Sequence, residues 1–353
     1  MGNRFIYKHF SECDLSDPFF DSLKADYPGF SDWFIRKAEA NAYIYREAGK
    51  IHAFGYLKQE CEDIILKDGV IPAQNRIKMG TLKIGGGLQG QRRGEGLLGI
   101  ALWTWQASQY DQIYVTVFLK HKTLVDLLKK FGFCDYGENQ NGEHVFIKDK
   151  NHLDHNDPYK MFPYLSGNFD CAKYLPINEE YHDTLFPYSN LKGTQQSTLN
   201  MAVANGISKV FIGKPMSVNL NYKKNNPLFI YRKASTQKTY RSVVSSYGTV
   251  VKYKVVKENY KAFISEQEFI HEAGNKSFFN QEELSNFYQK WKNLVLIELL
   301  YNGFFGEGHN VNHHWLSSND FFYAHPYNVD LSPEAFRRII REGGKNEQDI
   351  ILD

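Results

Sequence analysis

The stretch RIKMGTLKIGGGLQGQRRGEG, residues 76–96, decides how the first part of this chain is read. Arg76 to Ile84 mixes β-branched and apolar residues and predicts a strand. It runs into a glycine-rich loop. From Gly96 to Gln109 the apolar residues Leu97, Leu98, Ile100, Ala101, Leu102, Trp103 and Trp105 form a broad stripe, which predicts a helix packed on a sheet. Gly90, Gly94 and Gly96 let the loop adopt positive φ and let backbone amides approach a ligand closely. Free N–H groups and the dipole at a helix N-terminus favour phosphate oxygens, and Arg92 and Arg93 add positive charge beside them. By themselves such glycines also suit a plain surface loop, so the surroundings decide between the two.

Those surroundings predict an α/β domain. Arg4 to Phe10 reads as a first strand, and helices are expected over about Pro18–Asp26 and Phe30–Asn41. A hairpin follows, with strands at Ala42–Arg46 and Ile51–Gln59 around the turn Glu47-Ala48-Gly49-Lys50. Beyond the glycine loop, Asp111–Phe118 predicts a strand, His121–Phe131 a helix and His144–Lys148 a closing strand. The order β, α, α, β, β, β, α, β, α, β places helices on both faces of one mixed sheet. A chain of 353 residues exceeds one ordinary core, so two domains are expected. The polar stretch DKNHLDHNDP ending at Pro158 sets the expected division: residues 1–150, a linker at 151–158, and a second domain from 159 to 353.

With these motifs in order, residues 4–148 resemble the GNAT N-acetyltransferase family. The family's Gln/Arg-x-x-Gly-x-Gly/Ala loop is matched by Gln91, Gly94 and Gly96, and its helix ending in Gly-Phe by Lys129-Lys130-Phe131-Gly132-Phe133. The resemblance implies acetyl-CoA as donor. It also implies that the backbone of Leu82, Lys83 and Ile84 pairs with the pantetheine arm and that the amides of Gln91, Arg92, Arg93, Gly94, Glu95, Gly96 and Leu97 hold the pyrophosphate. The thioester would enter between the strands ending near Ile84 and Phe118, where an amine attacks it after losing a proton. Two positions depart from the pattern: Leu128 stands where many members have a Tyr that protonates the leaving thiolate, and His121 where many have Asn. His121 is a candidate proton donor or relay, against the alternative of a solvent-exposed residue flanking its helix. Tyr136 is a second candidate acid, against simple packing.

The second half resembles PUA-like domains of the ASCH/EVE type, on the entry YLPINEEYHDTLFPYSN (174–190) and the runs NGISKVFI (205–212) and PLFIYR (227–232). Strands at Lys209–Ile212, Leu228–Tyr231 and Tyr247–Val256 and helices at Glu266–Ala273, Gln281–Trp291 and Ser332–Glu342 predict an α+β fold on a small, closed, antiparallel β-barrel. Such domains commonly bind RNA or a modified base, which makes Lys209, Tyr231, Arg232, Lys233, Tyr240 and Arg241 a candidate nucleic-acid surface, against a solvated strand face with aromatics in the core. His309 and His313, with Glu307, His314 and His325, suggest a metal site. The glycines and asparagines of GFFGEGHNVNHHW argue against a helix there, so no metal is assigned.

Bulk properties narrow the field. With 15% aromatic and 42% hydrophobic residues, long disorder is not expected, and a net charge of +2 neither demands nor excludes a polyanion. Four scattered cysteines form no C-x-x-C pair, which suits a reducing compartment. The N-terminus has no continuous apolar core, Ile6 breaks a myristoylation pattern, and no apolar run approaches membrane-spanning length. A cytoplasmic location with no membrane association is therefore expected. Two functions follow: an acetyl-CoA-dependent N-acetyltransferase whose amine acceptor is an RNA, an aminoacyl-tRNA or a nucleotide presented by the second domain, or a non-catalytic CoA-binding sensor joined to a nucleic-acid reader.

Overall fold

The computed structural model describes residues 5–85, 90–189 and 202–353, and the chain divides into two units, Met1–Leu153 and Asp154–Asp353. The first is built on β1 (Ile6–His9), β2 (Asn41–Glu47), β3 (Lys50–Glu60), β4 (Ile64–Leu66), β5 (Gly69–Ile71), β6 (Arg76–Ile84), β7 (Gln112–Val117), β8 (Cys134–Glu138) and β9 (His144–Asp149). Seven of these form one sheet in the order β1-β2-β3-β6-β7-β9-β8, while β4 and β5 make a separate hairpin. Among the described residues only β6 and β7 run parallel within the sheet. Among the described residues the α-helices of the unit are α1 (Asp21–Asp26), α2 (Phe30–Arg36), α3 (Arg93–Ser108) and α4 (Lys122–Lys130).

Local chemistry explains these elements. Asp17 caps the turn ahead of α1 by accepting from the Phe19 amide, and Pro18 occupies the first turn, where a missing N–H costs nothing. Phe10, Phe20, Phe34 and Phe54 meet edge to face under β1–β3 and are almost fully buried. Helix α3 buries Leu97, Leu98, Leu102 and Trp105. It begins three residues before the expected start at Gly96, so Gly94 and Gly96 lie inside the helix rather than in the loop.

The second unit carries α5 (Pro158–Met161), β10 (Leu165–Ser166), β11 (Ala172–Asn178), α6 (Glu179–Leu185), α7 (Ala202–Asn205), β12 (Ser208–Gly213), β13 (Pro227–Lys233), α8 (Lys238–Arg241) and β14 (Val243–Glu258). It continues with β15 (Lys261–Ala262), α9 (Glu266–Ala273), α10 (Gln281–Lys290), β16 (Leu294–Phe304), β17 (Val311–Asn312), α11 (His313–Ser318), β18 (Asp330–Leu331), α12 (Pro333–Glu342) and β19 (Ile351–Leu352). The main sheet runs β12-β16-β14-β13-β11-β18. It differs from the antiparallel barrel expected from sequence in two ways. The sheet is mixed, because β11 and β13 pair in parallel from Lys173↔Leu228 to Asn178↔Lys233. No closed barrel is found among the described residues: the outer strands β12 and β18 do not pair with each other. Phe336 of α12 stacks on Phe229 at 4.4 Å over one part of the sheet, and Phe269 and Leu284 of α9 and α10 join Val210, Leu294 and Leu296 in another core.

Candidate active site

Strands β6 and β7 hold the site because they part company. They pair from Arg76↔Gln112 only as far as Met79↔Val115, although β6 continues to Ile84 and β7 to Val117. On its other side β6 stays paired with β3 to Ala53↔Ile84, with a one-residue irregularity at Gly80 between Tyr56↔Thr81 and Leu57↔Met79. A bulge bends its strand and re-aims it. The result is a wedge in which the β7-facing edge of Gly80–Ile84, including Leu82, Lys83 and Ile84, has no strand partner among the described residues.

Helix α3 starts beside this wedge. Gly90 has φ 84°, and Arg92, the N-cap, has φ 57°. For a residue with a side chain that left-handed conformation costs about 1 kcal/mol. The Gly96 amide already donates to the Arg92 carbonyl at 3.1 Å, so Gly96 and the residues after it belong to the helical ladder. Only first-turn amides remain for an anion, which shortens the expected cradle of Gln91–Leu97 at its C-terminal end. A Cβ built on Gly94 lies 3.7 Å from Ile84 and 3.8 Å from Leu127, ordinary contact distances, so the fold itself does not require glycine there.

The two arginines of the loop turn away from the role their charge suggested. Arg92 pairs with Glu95 at 2.7 Å. Arg93 is buried, with its guanidinium against Tyr45 and Glu47. Lys83 donates to the Phe19 carbonyl and to Ser22 Oγ, and burial lowers its pKa.

The wedge opens into a cleft of about 1580 Å³ lined by β6, the end of β7, the start of α3, α4 and the turn between α1 and α2. His121 reaches its rim at the N-cap of α4, half exposed, with Nε2 3.6 Å from Asp26 Oδ2. Lys120 takes the other Asp26 oxygen at 2.5 Å and holds that carboxyl below its ordinary range. Tyr136 is elsewhere: it sits exposed on β8, the outermost strand, and is absent from the cleft lining. Leu128 is fully buried.

Sequence reading missed Tyr27 and Glu143. The Tyr27 hydroxyl donates to Glu143 Oε1 at 2.9 Å inside the cleft lining, and burial together with that carboxylate raises its pKa. Glu143 follows Asn141-Gly142, a turn pair whose glycine has φ 83°, and this dipeptide was the available signal for the hairpin.

The candidate nucleic-acid residues of the second unit do not share a surface. Lys209 is buried on β12, and Tyr231 is buried with its hydroxyl 3.0 Å from His313 Nδ1. Arg232 is buried and donates twice to Asp183, at 2.9 and 3.1 Å. Tyr240 and Arg241 are exposed, and Lys233 lines a cavity of about 590 Å³ with Lys214, His325, Tyr181 and Trp291. Strands β12 and β13 are buried along nearly their whole length on both faces, which takes Lys209, Tyr231 and Arg232 out of solvent. The histidines separate as well. His313 opens the short helix α11, which begins after His309; His313 bonds Tyr231, His314 approaches Tyr240 and His325 approaches Tyr327. Among the described residues no group of three His, Cys, Asp or Glu is placed to hold a metal ion. Nor is any helix there long and apolar enough to cross a membrane.

No family model and no curated protein matches this sequence. Solved structures do. The N-acetyltransferase YlbP of Bacillus subtilis, crystallised with coenzyme A, is 13% identical over 42% of this chain and 97% of its own, with a TM-score of 0.28. Ard1 from Thermoplasma volcanium is 10% identical over 41% of this chain and 96% of its own, with a TM-score of 0.31. The ASCH protein of Zymomonas mobilis, crystallised as a point mutant, is 8% identical over 48% of this chain and 94% of its own, with a TM-score of 0.32.

Proposed function

We propose that the first unit binds acetyl-CoA and transfers its acetyl group to an amine. One observation carries this reading: a strand edge at Gly80–Ile84, unpaired among the described residues, ends beside a helix N-terminus whose preceding residues, Gly90 and Arg92, hold left-handed backbone. An extended ligand bearing amides adds to a free edge as another strand does, and its phosphates then meet the first-turn amides of α3. Coenzyme A carries both groups at the two ends of one arm. The cleft exceeds the roughly 300–1,000 Å³ of drug-sized sites, which leaves room for a long donor and an acceptor together. Lys120, Lys122 and Lys130 add positive charge to its walls.

In the reaction the amine nitrogen attacks the thioester carbonyl carbon, a C–N bond forms, and the C–S bond breaks to release the CoA thiolate. The amine must shed its proton before attack and the thiolate gains one on leaving. The alternative reading is a CoA-binding sensor without turnover. Fully buried Leu128 and the distance of Tyr136 from the cleft favour it, because both remove hydroxyls from the place where a thiolate would need an acid. A role for the second unit in presenting RNA or tRNA keeps little support from Lys209, Tyr231 and Arg232, which are buried.

Thiol release from acetyl-CoA, followed with a disulfide reagent against a panel of alkylamines, polyamines, amino acids and crude tRNA, separates the two readings. Release that depends on an added amine supports the transferase. Binding without release from any acceptor supports the sensor.

A further inference from the structure

Glu143 is a carboxylate buried in the cleft wall with no ion-pair partner among the described residues. The residue is 6% exposed, and its oxygens accept from Tyr27 Oη at 2.9 Å and from Asn139 Nδ2 at 3.2 Å, both neutral donors. Among the described residues no Lys, Arg or His nitrogen lies within the 4.0 Å of an ion pair with it. The other partly buried carboxylates of the cleft are neutralised within the chain: Asp26 by Lys120 and Glu95 by Arg92. Lys78, whose ammonium feels Glu143, is drawn instead to Glu60 at 3.7 Å. A charge taken out of water is retained only when something offsets its lost solvation, and the best offset is an opposite charge at hydrogen-bond distance. Among the described residues the fold gives Glu143 neutral hydrogen-bond donors and the more distant field of Lys78, with no cation at ion-pair distance.

The position of Glu143 matches an acceptor site. Register pairs Val117 with His144 and Thr116 with Val145. Alternation therefore puts Glu143 on the Thr116 and Val145 face, opposite His144, Phe146 and Lys148. Lys148 donates to the carbonyl of Phe131, the residue that ends α4, so the face opposite Glu143 is the helix α4 face. The Gly94 cradle sits among Ile84 and Leu127 of that α4 side. Tyr27, from the turn between α1 and α2, reaches Glu143 from the other. A donor held against α3 and α4 and an amine held at Glu143 would approach the β6–β7 wedge from opposite faces of the sheet. Asn139 fixes the carboxylate further, since its Oδ1 accepts the Asn141 and Glu143 amides at 2.9 and 3.0 Å and closes the hairpin turn.

We infer that Glu143 is the counter-ion that receives and positions the acceptor's ammonium group. This rests on the acetyl-transfer reading above. The substrate's cation completes an ion pair that the fold leaves half made, and Tyr27 orients the carboxylate that receives it.

The test uses the full chain loaded with CoA and n-butylammonium as probe, with binding read by saturation-transfer NMR, so that turnover is not required. Glu143→Gln keeps the shape and the Tyr27 contact but removes the charge; Tyr27→Phe removes the hydrogen bond and keeps the charge. The wild type is expected to bind the probe, E143Q to lose at least tenfold in affinity, on the order expected for a buried charge partner, and Y27F to retain most of it. CoA affinity should be the same in all three, which also reports that the variants are folded. CoA binding without butylammonium binding in the wild type, or equal butylammonium binding in E143Q, overturns the inference and leaves the donor site standing. Absence of CoA binding in the wild type overturns the donor site and the inference with it.

Discussion

The guanidinium of Arg93 lies 3.6 Å from the centre of the Tyr45 ring and donates to the Tyr45 hydroxyl at 2.9 Å. A residue of the proposed phosphate loop is thus an anchor of the core, and Glu47 completes its environment at 3.3 Å. Removing the guanidinium takes this clamp from the loop. Arg93→Gln is expected to lower stability by about 3 kcal/mol, the scale for breaking a buried charged contact. Acetyl-CoA affinity, measured where the variant is folded, should change by less than about threefold, roughly 0.6 kcal/mol. Thermal melting and calorimetry on one preparation check both halves.

Gly94 separates folding from binding. Its Cβ space is open at 3.7 Å or more, and alanine is the better helix former by up to about 1 kcal/mol. Gly94→Ala should therefore melt no lower than the wild type while binding acetyl-CoA at least about tenfold more weakly, a loss of roughly 1.4 kcal/mol. Equal affinity would show that the cradle lies elsewhere.

Leu128 is fully buried at the position where the resemblance to GNAT acetyltransferases leads one to expect a tyrosine acid. Overpacking a filled core costs roughly 1–3 kcal/mol. Leu128→Tyr should accordingly lower the melting temperature without raising the rate of thiol release.

His121 stands at the rim, half exposed, with a 3.6 Å approach to Asp26. General acids contribute typically 10²–10⁴ in rate. His121→Ala is expected to lower kcat by less than about threefold, far below that range. A loss of about a hundredfold or more, within that range, would make His121 the acid.

Acid sensitivity should arise in the second unit at His182. This fully buried ring contacts Asp183 Oδ1 at 2.8 Å through Nδ1 and Ser245 Oγ at 2.7 Å through Nε2. A neutral ring that donates to the carboxylate and accepts from the hydroxyl satisfies both contacts, and burial lowers its pKa from 6.5. The unfolded chain then binds the proton first, so stability is full above about pH 6.5 and falls as pH drops from there toward the lowered value. His182→Gln should flatten that part of the melting-temperature profile. His313 and His325, also lowered by burial, add slopes of the same sign.

Much of the first sheet could be read from the chain because its periods are plain: the run 76–84 has no competing pattern, and α3 carries a wide apolar stripe. Strand β16 escaped notice because Leu294–Phe304 is made of the short apolar runs Leu294–Ile297 and Leu299–Tyr301 around Glu298, and such runs cannot be assigned to strand or helix by periodicity. The site was half legible. Glycines next to a helix start point to the proposed phosphate cradle through local chemistry, whereas the burial of the Arg93 side chain could not be read because its partners Tyr45 and Glu47 lie far back in sequence. Glu143 is silent for the same reason: its meaning comes from Tyr27, 116 residues away. The strained turn at Arg92 was likewise hidden, since sequence points to glycine for left-handed backbone.

Isothermal titration of the full chain with acetyl-CoA tests the central claim most directly. Saturable binding of one molecule per chain, weakened when Gly94 is replaced by valine, is the predicted result. No measurable binding, or the same affinity in Gly94→Val, would contradict it.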